Sequence, residues 1–232
     1  MRRLDRSMTV AAFLIALASA CGSTSTDGRP GVVLQFENWD NTGIEQQDSV
    51  TGGSASVDVA QSICSTDFLF TNLTFETFTQ TIVNAVFLNE SSTDILLQQY
   101  RIHFDDPSYA IGDMVFQIGA VISGGRCSNA MTRSCAVDTD CVIPGQMSSG
   151  ATCDHPSTLV SGILLFDFLT KERIATQKRL LGRATSITVT FTGASAISSY
   201  STTASYVVTF DDFCNCPSGS FCVPAEALPG GR

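Results

Sequence analysis

Apolar and polar residues alternate most regularly in ILLQQYRIHF, Ile95 to Phe104. Leu96, Tyr100, Ile102 and Phe104 share one parity, which Gln98 breaks, and Leu97, Gln99, Arg101 and His103 share the other. Side chains of a strand point alternately to its two faces, so this period predicts a strand with one face on a core. Asp105, Asp106 and Pro107 end it. TSITVTFTG repeats the pattern, with Ile187, Val189 and Phe191 against Thr188, Thr190 and Thr192, and TASYVVTFDDF sets Tyr206, Val208 and Phe210 on one side. Further strands are predicted in VVLQFENW, DFLFTNLTFETFTQTIVNAVFLNES, GDMVFQIGAVISGG and the more continuously apolar STLVSGILLFDFLT. NTGIEQQDSVTGGSAS reads as a turn-rich loop, ESSTD as a turn, and KERIATQKRLL as a short helix or a polar edge connection.

Strands divided by turn clusters, with no regular alternation of helices, predict an all-β protein. The expected architecture is an antiparallel two-sheet sandwich of roughly seven to nine strands, immunoglobulin-like in its layers, with a disulfide-rich loop insert. True immunoglobulin domains place a Trp between two bridging cysteines. Here Trp39 precedes every cysteine of the domain, so the likeness is one of architecture alone.

The N-terminus follows a different pattern. Arg2, Arg3 and Arg6 precede an apolar run from Met8 to Ala20 that only Thr9 and Ser19 interrupt. The run is shorter than the about 20 residues that span a bilayer. Basic start, short apolar middle and small terminal residues describe a cleaved export signal. The alternative, a buried core helix, would carry polar residues on one face, and this run has almost none. Leu17, Ala18, Ser19, Ala20 and Cys21 resemble the lipobox of bacterial lipoproteins. The resemblance implies a diacylglyceryl group on the Cys21 thiol, cleavage just before it, and acylation of the new amino terminus. A single acyl chain holds a protein only marginally at a membrane, whereas two or three hold it firmly. Gly22, standing directly after the cysteine, implies the outer membrane as the address, on its surface or periplasmic side. GSTSTDGRP is too polar and too small to fold and reads as a tether. The expected organisation is a signal at 1–20, a tether at 21–30, a sandwich at 31–216 with a Cys-rich insert at 126–156, and a tail at 217–232.

Charge narrows the choice of partners. Removing residues 1–20 leaves 10 basic and 21 acidic residues, a net charge of −11. That lacks the basic footprint of nucleic-acid binding or of a polybasic membrane patch. The membrane contact expected is the anchor at Cys21.

Beyond Cys21 there are eight cysteines, which an oxidising compartment would pair. Cys127, Cys135, Cys141 and Cys153 lie in one loop; Cys214, Cys216 and Cys222 lie near the C-terminus, with Cys64 far upstream. Cysteines separated by a single residue rarely pair, which argues against a Cys214–Cys216 bridge. If no bridge joins the two groups, Cys64 pairs with Cys214 or Cys216, leaving the other for Cys222, or pairs with Cys222 itself. Such a bridge closes a loop of about 150 residues, worth roughly 5 kcal/mol at most. Pairing within the loop group stays open.

The loop CSNAMTRSCAVDTDCVIPGQMSSGATCDH resembles small Cys-rich inserts of exported proteins from environmental diderm bacteria, which implies export and disulfides. It reads as a stapled insert, a projecting binding knob, or a calcium loop using Asp138, Asp140 and Asp154. Calcium asks for six or more oxygens, and EF-hand spacing is missing. Zinc would call for paired C-x2-C units, also missing. No metal or cofactor is expected.

Nothing points to catalysis. His103 lies on the polar parity of its strand and His155 beside Asp154. There is no G-x-S-x-G elbow, H-E-x-x-H helix or Gly-rich phosphate loop. Asp105 and Asp106 are adjacent and would diverge, so they make no glycosidase pair. One Trp and four Tyr offer little for stacking sugars, and the fifteen Phe are assigned to the core. The expectation is a non-enzymatic, lipid-anchored binding, adhesion or structural interaction module. The alternative is a subunit of an envelope complex or filament assembled by strand pairing, and a secreted hydrolase ranks last.

Overall fold

The computed structural model describes residues 34–42, 44, 48–145, 150–214 and 216–223, all within one compact unit. The signal, the tether, Cys21 and the end of the tail lie outside the described residues. In chain order the strands are β1 (Leu34–Trp39), β2 (Ser49–Thr51), β3 (Ser54–Asp58), β4 (Ser62–Ser65) and β5 (Leu73–Glu76). Next come β6 (Thr81–Asn89), β7 (Ile95–Phe104), β8 (Met114–Ile122), β9 (Arg126–Cys127), β10 (Ala130–Ser134) and β11 (Cys153–Asp154). β12 (Thr158–Phe166) runs into the one α-helix of the described residues, α1 (Phe168–Ala175), followed by β13 (Ala184–Ala194), β14 (Ser199–Asp211) and β15 (Phe221–Cys222).

The protein is an all-β sandwich. A six-stranded sheet, β2-β3-β14-β13-β7-β8, faces a three-stranded sheet, β1-β6-β12. Alternation explains the layers: on β13, Ile187, Val189 and Phe191 are fully buried, and on β14 so are Tyr206, Val208 and Phe210. Aromatic rings bridge the two sheets. Phe87 of β6 meets Phe191 of β13 edge-on at 4.8 Å, and Phe166 of β12 meets Phe210 of β14 at 5.0 Å. Trp39 joins the first cluster and donates its indole N–H to the Ser205 carbonyl at 3.0 Å. Rings of this size dominate core burial, and a polar tip needs such a partner.

Three details depart from the expected pattern. β3 pairs with β14 in parallel, the one parallel pair among the described strands. The supposed turn-rich loop therefore contains β2 and the start of β3, where Ala55 and Val57 alternate with polar residues over too short a run to stand out from the Ser and Gly around it. On β7 the phase flips: Leu97 is fully buried and Leu96 is 44% exposed, the reverse of the simple alternation. The pairing with β13 skips a residue, setting Thr192 opposite Gln99 and Gly193 opposite Leu97. The bulge at Gln98 returns Tyr100, Ile102 and Phe104 to the core after Ile95 and Leu97. Gly193 makes room for it, since a Cβ there would stand 2.7 Å from the Leu96 carbonyl oxygen.

Two small sheets complete the unit. β15-β4-β5 takes in residues expected as a tail, because Phe221 and Cys222 pair with Ser65 and Cys64. Disulfides Cys64–Cys216 and Cys214–Cys222 hold this sheet, one of the pairings the cysteine arithmetic left open. The Cys-rich insert folds as β10-β9-β11, closed by Cys127–Cys141 and Cys135–Cys153.

Candidate functional site

β8 is the outer strand of the six-stranded sheet and, among the described strands, pairs with β7 alone; at its end the Ile122 carbonyl accepts from Asn89 Nδ2. Its sequence, MVFQIGAVI, has nine residues and no charge. Val115 and Val121 are 55% and 53% exposed, and inward-facing Met114, Phe116, Ile118 and Ala120 are only partly buried against the core. Edge strands usually carry Lys, Pro or a covering segment that blocks further pairing. β8 carries no Lys or Pro, so it offers a backbone ladder flanked by small apolar side chains. β12, the edge of the facing sheet, touches β8 on the same side of the sandwich.

Just before β8, Asp113 faces two β7 side chains. His103 Nδ1 lies 2.7 Å from Asp113 Oδ1, and the Arg101 guanidinium lies 3.5 Å from Oδ2. All three are exposed, as expected of the polar face of β7. The cluster pins the start of β8 to β7 and shows none of the burial of a catalytic base.

The Cys-rich insert is fastened to the β6–β7 turn by several polar contacts. His155, half-buried, places Nδ1 2.8 Å from the Asn89 carbonyl oxygen and Nε2 3.3 Å from that of Ala136, so its ring bridges the β6–β7 turn and the insert. Gly125 donates its N–H to the Ser91 carbonyl, and Arg126 pairs with Asp94 at 2.8 Å. Gly124 permits this approach: a Cβ there would lie 2.8 Å from the Ser91 carbonyl oxygen.

The insert's carboxylates serve its own backbone. Asp138 Oδ1 accepts from the Cys153 N–H at 2.7 Å, and Asp140 Oδ2 from the N–H groups of Ala136 and Val137. The Ala136 N–H, then that of Val137, holds the Asp140 carboxyl below the usual carboxylate range. Asp154 Oδ1 accepts from the Thr152 hydroxyl. Among the described residues, the groups gathered closely enough to share an ion are Cys127, Cys135 and Cys141, and Cys214, Cys216 and Cys222. Their sulfurs are already joined in disulfides, and Asp138, Asp140 and Asp154 do not gather. Asp105 and Asp106 diverge too: Asp105 accepts from the Thr188 hydroxyl, and Asp106 caps the turn at Ser108.

An apolar tip was not legible in the composition. Phe68 is 87% exposed, and Leu69 and Phe75 are also open, so these Phe do not fill the core. The Asp67 carboxylate accepts from the N–H groups of Leu69, Thr71 and Asn72 and from the Thr71 hydroxyl. That bracket holds Phe70 at φ 54°, a left-handed conformation costly for a bulky residue. Phe68 stacks on Phe221 of β15 at 4.8 Å.

A buried ion pair was also missed. Lys171 of α1 sits one helical turn before Ile174 on the buried face, with Nζ 2.7 Å from Asp48 Oδ2. Both side chains are fully buried. Asp48 Oδ1 accepts from the Asp58 N–H at 2.8 Å, and Oδ2 also accepts from the Thr81 hydroxyl. Burial pushes the Lys171 ammonium down from its ordinary value, against the charges of Asp48 and Asp58.

No protein-family model, curated protein or solved structure matches this chain.

Proposed function

We propose that this protein is a lipid-anchored module of the bacterial envelope that works by protein interaction, its docking line being the open edge of β8. The anchor rests on LASAC at Leu17 to Cys21 and the polar tether that follows. The interaction reading rests on one observation: a nine-residue, uncharged strand that has a strand partner on one side only among the described residues. It favours assembly by strand pairing over a pocket-based activity, and no catalytic residue is assigned.

The sequence of β8 fits a second copy of itself. With an antiparallel pair centred on Ile118, Val115 stands opposite Val121 of the second copy, Phe116 opposite Ala120, and Gln117 opposite Gly119. Large side chains meet small ones and no like charges meet, which is what a stable cross-strand register requires. The test is the mass of the detergent-solubilised full chain by analytical ultracentrifugation. Val115→Lys with Val121→Lys places like charges opposite each other and should give monomers. Val115→Lys with Val121→Glu places opposite charges there and should restore association. A native chain that is monomeric at all concentrations, or a Lys/Lys variant that still associates, overturns the reading.

A further inference from the structure

We propose that Lys171 and Asp48 form an intramolecular amide, Nζ of Lys171 becoming bonded to Cγ of Asp48 with loss of one water. The inference is independent of the strand-pairing reading. It starts from geometry: an amine nitrogen 2.7 Å from a carboxyl oxygen, both groups sealed from solvent, in a cluster that also buries Asp58.

The surroundings favour condensation over a lasting ion pair. Lys171 and the Asp48 carboxylate are both buried away from water, and the charge of Asp58 also acts on the ammonium. Desolvated charges are costly to keep in a protein interior. Burial also favours the neutral amine, the nucleophilic form of Lys171. The ring of Phe78, 5.7 Å from Nζ, forms part of the apolar wall. Asp48 is held for attack on its carbonyl carbon. One oxygen receives the Asp58 N–H and the other the Thr81 hydroxyl, donors of the kind that stabilise a developing oxyanion. Neither partner has to travel, which supplies the proximity that amide formation lacks in water.

The step balances without an outside reagent. The Lys171 ammonium gives up a proton to the Asp48 carboxylate, 2.7 Å away. The neutral Nζ attacks Asp48 Cγ and a C–N bond forms. A carboxyl oxygen then leaves as water with two of the three original ammonium protons, and the third stays on the amide nitrogen. Two buried charges disappear, and residues 123 positions apart become covalently joined, tying the segment before β2 to α1.

The test is a peptide map of the full chain purified from membranes, with its disulfides reduced and alkylated. Trypsin cuts after a free lysine and not after one acylated on Nζ. The expected result is a branched peptide containing both Asp48 and Lys171, lighter by about 18 Da than the sum of its arms. The intact native chain should show the same deficit against Lys171→Met, after allowing for the exchanged residue; both chains carry the same N-terminal processing. Cleavage after Lys171 in the native chain, or an intact mass with no deficit, overturns the proposal. The peptide map decides on native protein alone if the variant does not fold.

Discussion

Cys64 and Cys216 are bonded across 152 positions of sequence, so that β4 and the segment leading to β15 are fastened together. Cross-linking acts largely on the unfolded chain, whose freedom it removes in proportion to the logarithm of loop length. The long bridge is therefore expected to outweigh the short Cys214–Cys222 bridge, which spans 8 positions. Cys64→Ala with Cys216→Ala should cost up to about 5 kcal/mol, and Cys214→Ala with Cys222→Ala about half that. Chemical denaturation of the two double variants checks the order. Equal losses would mean that the bridges act through local packing instead.

Alkali should loosen the sandwich through two tyrosines. Tyr100 donates its hydroxyl to the Leu164 carbonyl of the facing sheet, and Tyr206 donates to the carbonyls of Thr51 and Ser54. Burial raises both phenols from 10.0 to about 12. In the unfolded chain they ionise near 10, so the folded state holds more protons between the two values. The stability they supply is complete below pH 10 and is lost as pH rises towards 12. The loss is on the order of 2 kcal/mol per ring. Phenolate absorbance and circular dichroism followed after rapid pH jumps should change together. Ionisation of both rings near pH 10 without unfolding would contradict their placement.

Acid should act on the aromatic tip. The Thr71 N–H, then the Thr71 hydroxyl, holds the Asp67 carboxyl below its ordinary value of 3.8. Its contribution is present above that value and is lost as pH falls through the lowered folded value. Amide exchange at Leu69, Thr71 and Asn72 should accelerate below about pH 4 while β13 and β14 stay protected. Asp67→Asn should show the fast exchange already at neutral pH.

What the sequence made legible were the strands with one face in water. β7, β13 and β14 alternate because Thr, Ser, Arg and Gln face solvent opposite Ile, Val, Phe and Tyr. Gln98 was the one mismatch in β7, and it marks the bulge that reverses the phase before it. Partners remote in sequence left no such trace. β3 is a strand because β14, some 150 residues later, offers it a parallel edge. Lys171 is inside because Asp48, 123 residues earlier, meets it there. GDMVFQIGAVISGG announced a strand, yet its place at the edge depends on the order of the whole sheet. The cysteine spacing argued against a Cys214–Cys216 bridge and kept the observed pairing among its options. It could not choose, because that depends on where β15 lands.

Gly193 tests the bulge directly. Any side chain there meets the backbone of Leu96 and the Ile95 Cγ2, atoms fixed by the β7–β13 ladder. Gly193→Ala should cost about 1–3 kcal/mol, as overpacking does. Gly119→Ala on β8 is the control, because nothing lies within 4 Å of its added Cβ. That substitution should be close to neutral. Equal effects in thermal unfolding would show that chain entropy, and not the close crossing of β7, governs Gly193.

The anchor is tested by one substitution and one protease. If Cys21 carries the lipid, the native protein should resist washing from membranes with carbonate or high salt, and Cys21→Ser should appear in the soluble fraction. Carbonate and salt disrupt charge contacts, and a processed chain of net charge −11 lacks the excess of Lys and Arg that such contacts with an anionic membrane need. Protease added to intact cells, compared with permeabilised cells, then places the domain. Loss of the native protein from intact cells puts the β8 edge at the cell surface, where its pairing would join neighbouring molecules of the outer leaflet. Loss only after permeabilisation puts it in the periplasm, where pairing would build an internal complex. Native protein that washes off before protease is added would mean that LASAC ends an ordinary signal peptide and that the sandwich is secreted free.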